Sequence, residues 1–135
     1  MLVRTSLLTR RAALAAALVA AAGCGSGDPA GPRSPCTGPV TLAASREARP
    51  RFTWSPDCAV ARLVVLTPPS AGYVDVRWAV RGGDAGIASG VRYGSVPRGA
   101  TEETPAADYP FVPGVRVSVL NAQGAVLASA PLVAP

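Results

Sequence analysis

The chain contains no histidine and no lysine: all thirteen of its basic residues are arginine, set against eight acidic ones. That narrows the chemistry open to it. Without histidine there is no Ser-His-Asp or Cys-His arrangement, and the commonest general base and the usual catalytic zinc ligands are missing. What remains for acid–base work is the carboxylate cluster Glu102, Glu103 and Asp108. Paired carboxylates hydrolyse glycosides when they face each other across a bond, but adjacent acids in a Pro-, Gly- and Ala-rich loop (97–110) are expected to be solvated charge. They also lack the D-x-D-x-D-G spacing of a calcium loop. Gly82-Gly83-Asp84, followed by Gly86, has neither the helix nor the lysine of a phosphate loop and reads as a hairpin turn. No catalytic residue, metal site or cofactor is assigned, and a small exported hydrolase is the least favoured reading.

Two sets of side chains are candidates for binding instead. Arg77, Arg81, Arg92 and Arg116 fall on strand faces and, gathered on one sheet, would meet an anionic glycan, a lipid head group or an acidic partner. The competing reading is a charged outer face that keeps a sheet soluble and its edges unpaired. The second candidate is Tyr109 in the long segment 94–113, since connections of that length are often functional or poorly ordered. Phe111, close by, is expected to pack inward.

The first two dozen residues concern address. Arg4, Arg10 and Arg11 lead into an Ala/Leu/Val run that ends Ala21-Ala22-Gly23-Cys24. This resembles a bacterial lipoprotein signal peptide, with Ala21 where Leu is usual; the resemblance implies export, cleavage after residue 23 and fatty chains on Cys24. The alternative is an ordinary secretory signal cut at an A-x-A-like site, with Cys24 left as a spare thiol or removed. Thr9-Arg10-Arg11 with Leu14 also resembles a twin-arginine signal, without its usual Phe. Cysteine number bears on the choice, because three cysteines in an exported chain leave one unpaired unless it is consumed. Lipidation of Cys24 would leave Cys36 and Cys58 as a pair. A bond between them would close a loop of about twenty residues, worth ~3 kcal/mol in the chain-entropy account; the alternative is two reduced thiols. Loss of residues 1–23 removes three arginines and no acid, so 10 minus 8 leaves a net charge of +2, too small to point to nucleic acid.

The mature chain is sized for one domain. Residues 24–39 are too rich in Gly and Pro for helix or ladder and read as a flexible tether. Residues 40–135 carry no sustained 3.6-residue period; they form short β-rich runs at 40–44, 51–54, 60–66, 74–81, 87–93, 115–120 and 125–129. The clearest is 74–81, where Val74, Val76, Trp78 and Val80 alternate with Asp75, Arg77, Ala79 and Arg81. Val115, Val117 and Val119 alternate likewise, and Asn121-Ala122-Gln123-Gly124 turns that run into 125–129 as a hairpin. Seven such strands predict an all-β, two-sheet sandwich.

Phe52-Thr53-Trp54-Ser55-Pro56, Tyr73-Val74-Asp75-Val76 and Phe111-Val112-Pro113-Gly114-Val115-Arg116-Val117 together resemble a fibronectin type III domain of the immunoglobulin-like class. They match its Trp-bearing second strand, one of its central strands and the opening of its sixth strand. The resemblance covers about residues 50–135. It places Val117 where the family carries its corner tyrosine, so the hydroxyl that ties that corner is lost, and a Cys36–Cys58 bond is one way to compensate. Taken together, these readings lead us to expect a lipid-anchored cell-envelope protein, on the periplasmic or cell-surface side, whose sandwich is a non-enzymatic binding or structural module. Its expected partners are the membrane, through the N-terminal lipid, and an envelope protein or polysaccharide, with no nucleic acid. The runner-up is an accessory subunit of a larger envelope complex, docked through sheet edges.

Overall fold

A computed structural model describes residues 33–68, 74–108 and 110–135. These residues contain no helix and eight strands: β1 (Thr41–Ala44), β2 (Arg51–Ser55), β3 (Arg62–Leu66), β4 (Val76–Arg81), β5 (Val91–Arg92), β6 (Thr101–Thr104), β7 (Arg116–Leu120) and β8 (Val126–Pro131). They make two antiparallel sheets, one ordered β1-β2-β5 and the other β6-β4-β3-β7-β8. The buried faces of both sheets share one core, the layout of a β-sandwich.

The alternation of residue types decides which side of each strand is buried. In β2, Phe52 and Trp54 point inward while Arg51, Thr53 and Ser55 point out. From the other sheet Leu63, Val65, Trp78, Val80, Val117 and Val119 meet them, all fully buried. Trp78 is the largest of these side chains. Its ring lies 6.4 Å from that of Phe52 across the core and 5.3 Å, edge-on, from Tyr93. Aromatic pairs at these separations add about 0.5–1.5 kcal/mol beyond the area they bury.

The outer face of the larger sheet is unusual in being buried along its middle. Val64, Ala79 and Ser118 occupy one cross-strand row, and all three are buried. The row with Arg62 and Arg81 flanks them on one side, and the row with Leu66 and Arg116 on the other. Ser118 hydrogen-bonds Ser129 Oγ at 3.0 Å, so its hydroxyl does not go unpaired there.

Several expectations change. There are eight strands rather than seven, because Thr101–Thr104 pairs with β4 inside the segment read as a loop. Thr-Glu-Glu-Thr has no apolar alternation, so its strand character comes from pairing and not from pattern. Val74 lies outside β4 and is 55 % exposed. The run 87–93 contributes only a two-residue strand plus a bridge from Ile87 to Val60. Gly82–Gly86 is no hairpin: β4 and β5 belong to different sheets, so this turn carries the chain from one layer to the other. The β7–β8 hairpin forms as expected, with Asn121 Oδ1 accepting from the Gln123 and Ala125 amides.

The folded part also starts before residue 40. Pro35 makes a parallel bridge with Ala59, through Cys36 N to Ala59 O and Ala59 N to Ser34 O, both 2.9 Å. Arg33 Nε donates to Asp57 Oδ1 at 2.7 Å, and a disulfide joins Cys36 to Cys58. The last part of the expected tether is therefore fastened to the turn that follows β2.

Candidate functional site

Strands β3, β4 and β7 carry the arginines of the larger sheet on its outer face. Arg62 and Arg81 are directly opposite in register, an arrangement of like charges that is unfavourable by itself. Glu103 of β6 resolves it, taking Arg62 Nε on Oε2 at 2.5 Å and Arg81 Nε on Oε1 at 2.6 Å. Partial burial opposes ionisation of Glu103, but hydrogen bonds from Arg81 and Arg62, together with their charge, outweigh it. The carboxyl is held below the ordinary carboxylate value. Arg116 donates through Nε to Ser129 Oγ at 3.2 Å and through Nη2 to Ser129 O at 3.4 Å. Arg77 Nη2 donates to Asp108 O at 3.1 Å.

The neighbouring acid faces the other way. Glu102 Oε1 accepts from the Trp78 indole Nε1–H at 2.9 Å, as adjacent residues of a strand must point to opposite faces. Glu102 and Glu103 thus serve different structural partners and do not face a common space, which is what paired-carboxylate hydrolysis needs. Among the described residues no three His, Cys, Asp or Glu side chains converge as a metal site.

Of the four candidate arginines, Arg77, Arg81 and Arg116 share the larger sheet, while Arg92 lies in β5 on the smaller one, opposite Arg51. The reading that gathers them on one sheet is corrected here. The sheet change between β4 and β5 is its cause, since the chain passes from one layer to the other there. Arg62 joins the set unannounced, although its outward place in the run 60–66 is the same signal that picked out Arg116. Tyr109 and Cys24 lie outside the described residues.

Tyr93 is the side chain that sequence reasoning passed over. Its hydroxyl donates to Ala107 O at 2.8 Å, with Arg77 O 3.3 Å away, tying the end of β5 to the segment after β6. Burial pushes its phenol above the ordinary value, against the charge of Arg77, which favours ionisation; Asp108 adds to the rise. This tie starts from a different strand end than the one where Val117 stands. The disulfide joins a separate place, with Cα atoms 4.9 Å apart. Beside it the Trp54 indole donates to Cys58 O at 2.8 Å.

Shallow grooves flank these features, one of about 540 Å³ beside Cys36 and two more near the arginines. One of these two, of about 800 Å³, is lined by Tyr93, Arg49, Ala107 and Phe111. The other, of about 450 Å³, runs beside β5 and is lined by Ser89, Arg92, Ser95 and Arg98. Comparison with family models, curated proteins and solved structures yields no significant match for this chain. No helix among the described residues is long and apolar enough to cross a membrane.

Proposed function

We propose that this chain is exported and lipid-anchored at Cys24, and that its domain is a non-enzymatic binding or structural module of the bacterial cell envelope. The observation that carries the reading is the Cys36–Cys58 disulfide. Such bonds belong to oxidising compartments, and this one leaves Cys24, at the end of the leader-like segment, as the odd cysteine. The fibronectin type III-like, immunoglobulin-like assignment is part of the same proposal. It is supported by the strand order: taking β1, β2, β3, β4, β5, β7 and β8 as A, B, C, C′, E, F and G gives A-B-E against C′-C-F-G. On this assignment β6 is an addition beyond C′.

Intact-mass measurement of the native protein tests the anchor. The expected product begins at Cys24, carries fatty acyl mass and lacks two hydrogens for the disulfide; an unacylated chain, or one still beginning at Met1, would refute it. Capture from envelope extracts tests the module, and recovery of no partner would count against binding. The reading as a subunit of a larger complex draws on β8, a six-residue edge strand with Val126 61 % exposed, which is a surface for strand addition. Stoichiometric co-purification in native detergent extracts would favour it.

A further inference from the structure

Among the described residues two cross-strand arginine pairs stand in register, and a carboxylate bridges both members of only one. Arg62 and Arg81 have Glu103 between them. Arg51 and Arg92 are equally in register on β2 and β5, yet no carboxylate bridges them: Glu47 Oε2 pairs with Arg92 Nη2 at 3.9 Å. Backbone oxygens hold the guanidiniums of Arg51 and the adjacent Arg49 in place. Arg51 Nη1 donates to Gly90 O at 2.9 Å, and Arg49 Nε to Tyr93 O at 3.3 Å. Gly90 and Gly94, at φ 100° and 75°, lie beneath these side chains: a Cβ on Gly94 would come within 3.0 Å of Arg49 Nη2, and one on Gly90 within 3.8 Å of Arg51 Nη1. Neutral oxygens orient a guanidinium without cancelling its charge, and each such contact uses one of its five N–H donors. Arg49 and Arg51 thus keep their charge with neutral partners, Arg92 meets a carboxylate only at 3.9 Å, and Arg46 adds the same sign in the β1–β2 turn.

We propose that Arg51 and Arg92, with Arg49 beside them, form a binding site for a phosphate group, which takes the place that Glu103 fills on the other sheet. Planar guanidinium forks on directly paired residues of two strands match the several oxygens of a phosphate. The groove along β5, with Ser95 and Arg98, gives room for the remainder of the molecule that bears it. The inference rests on the reading of the domain as a binding module and names the chemistry of what it binds.

The test is an NMR titration of the full chain, disulfide formed, in low-salt chloride buffer. One arm uses inorganic phosphate and the other glycerophosphoglycerol, the head group of an anionic phospholipid. Saturable shifts at the Gly90 and Arg92 amides are expected, weakened about ten-fold or more by Arg51→Gln or Arg92→Gln and unchanged by Arg116→Gln. Tighter binding of the free phosphate supports a soluble phosphate compound as ligand, and tighter binding of the diester supports a lipid. Glu103→Ala, which empties the place between Arg62 and Arg81, should install a second site, with new shifts in β3 and β4. Absence of saturable shifts in the unaltered chain, shifts that persist when Arg51 and Arg92 are both changed, or no second site in the Glu103 variant would each overturn the proposal. An envelope partner still captured by the doubly changed protein would leave the binding-module reading standing while this one fell.

Discussion

The five-stranded sheet meets three of its outward arginines with partners from its own strands, Glu103 for Arg62 and Arg81 and Ser129 for Arg116, whereas the three-stranded sheet leaves Arg51 to a backbone oxygen and Arg92 to a carboxylate 3.9 Å away. Width accounts for the difference. The larger sheet has a fifth strand, β6, to deliver an acid against β4; the smaller one ends at two-residue β5 with nothing beyond it among the described residues. A sheet that can neutralise its charge internally stabilises itself. One that cannot presents that charge outward.

The largest expected effect tests what the two sheets have in common. Trp78→Ala removes the ring that touches both layers and should cost about 3–5 kcal/mol, read as a fall in the urea midpoint; a loss under about 1 kcal/mol would mean that the layers do not share one core. Next, replacing Cys36 and Cys58 together by serine should cost about 3 kcal/mol and expose the segment around Arg33 to trypsin, which limited proteolysis would detect. Tyr93→Phe strips Ala107 O of its donor and should cost about 1–2 kcal/mol. Because the folded-state pKa of Tyr93 is raised, its share of stability is complete below the ordinary tyrosine value of 10.0 and is lost as pH rises beyond it. Melting curves of the Phe variant should therefore fall less steeply in alkali.

Smaller effects separate the sheets. Glu103→Gln should cost about 0.5–1 kcal/mol, as its carboxylate is 24 % exposed and shared by two arginines. Its lowered pKa means that its contribution is present above the ordinary 4.5 and lost as pH falls through the depressed value, so the variant should show a flatter acid limb in a pH series of denaturation midpoints. Arg81→Gln should likewise destabilise. Arg92→Gln should instead be neutral or gain about 0.2–0.5 kcal/mol, because it relieves a like-charge pair. If both arginine variants lose stability equally by thermal unfolding, the contrast between the sheets fails.

Much of the sheet structure was legible. Phe52 and Trp54, and Val115, Val117 and Val119, alternate with polar residues, and burial follows that alternation. Asn121 to Gly124 has the side chain and flexibility a tight turn needs. Strand β6 was not legible, since Thr101–Thr104 buries nothing on its own and owes its conformation to Trp78, Arg62 and Arg81 from distant positions in the chain. The grouping of the arginines failed for the same reason: Arg81 and Arg92 read alike in sequence, and only the crossing at Gly82–Gly86 sends them to different faces. The pairing of Arg51 with Arg92 is a matter of register between strands some forty residues apart, which no local pattern encodes.

The clamp at Cys36 has a mechanical consequence. Residues 37–57, and with them all of β1 and β2, lie inside the covalent ring closed by Cys36 and Cys58. Traction applied upstream of Arg33 passes through sulfur to Cys58 and onward into β3, so neither enclosed strand can be reeled out while that bond is intact. The first ladder to feel the pull is the central strand of the wider sheet, the best buttressed part of the molecule.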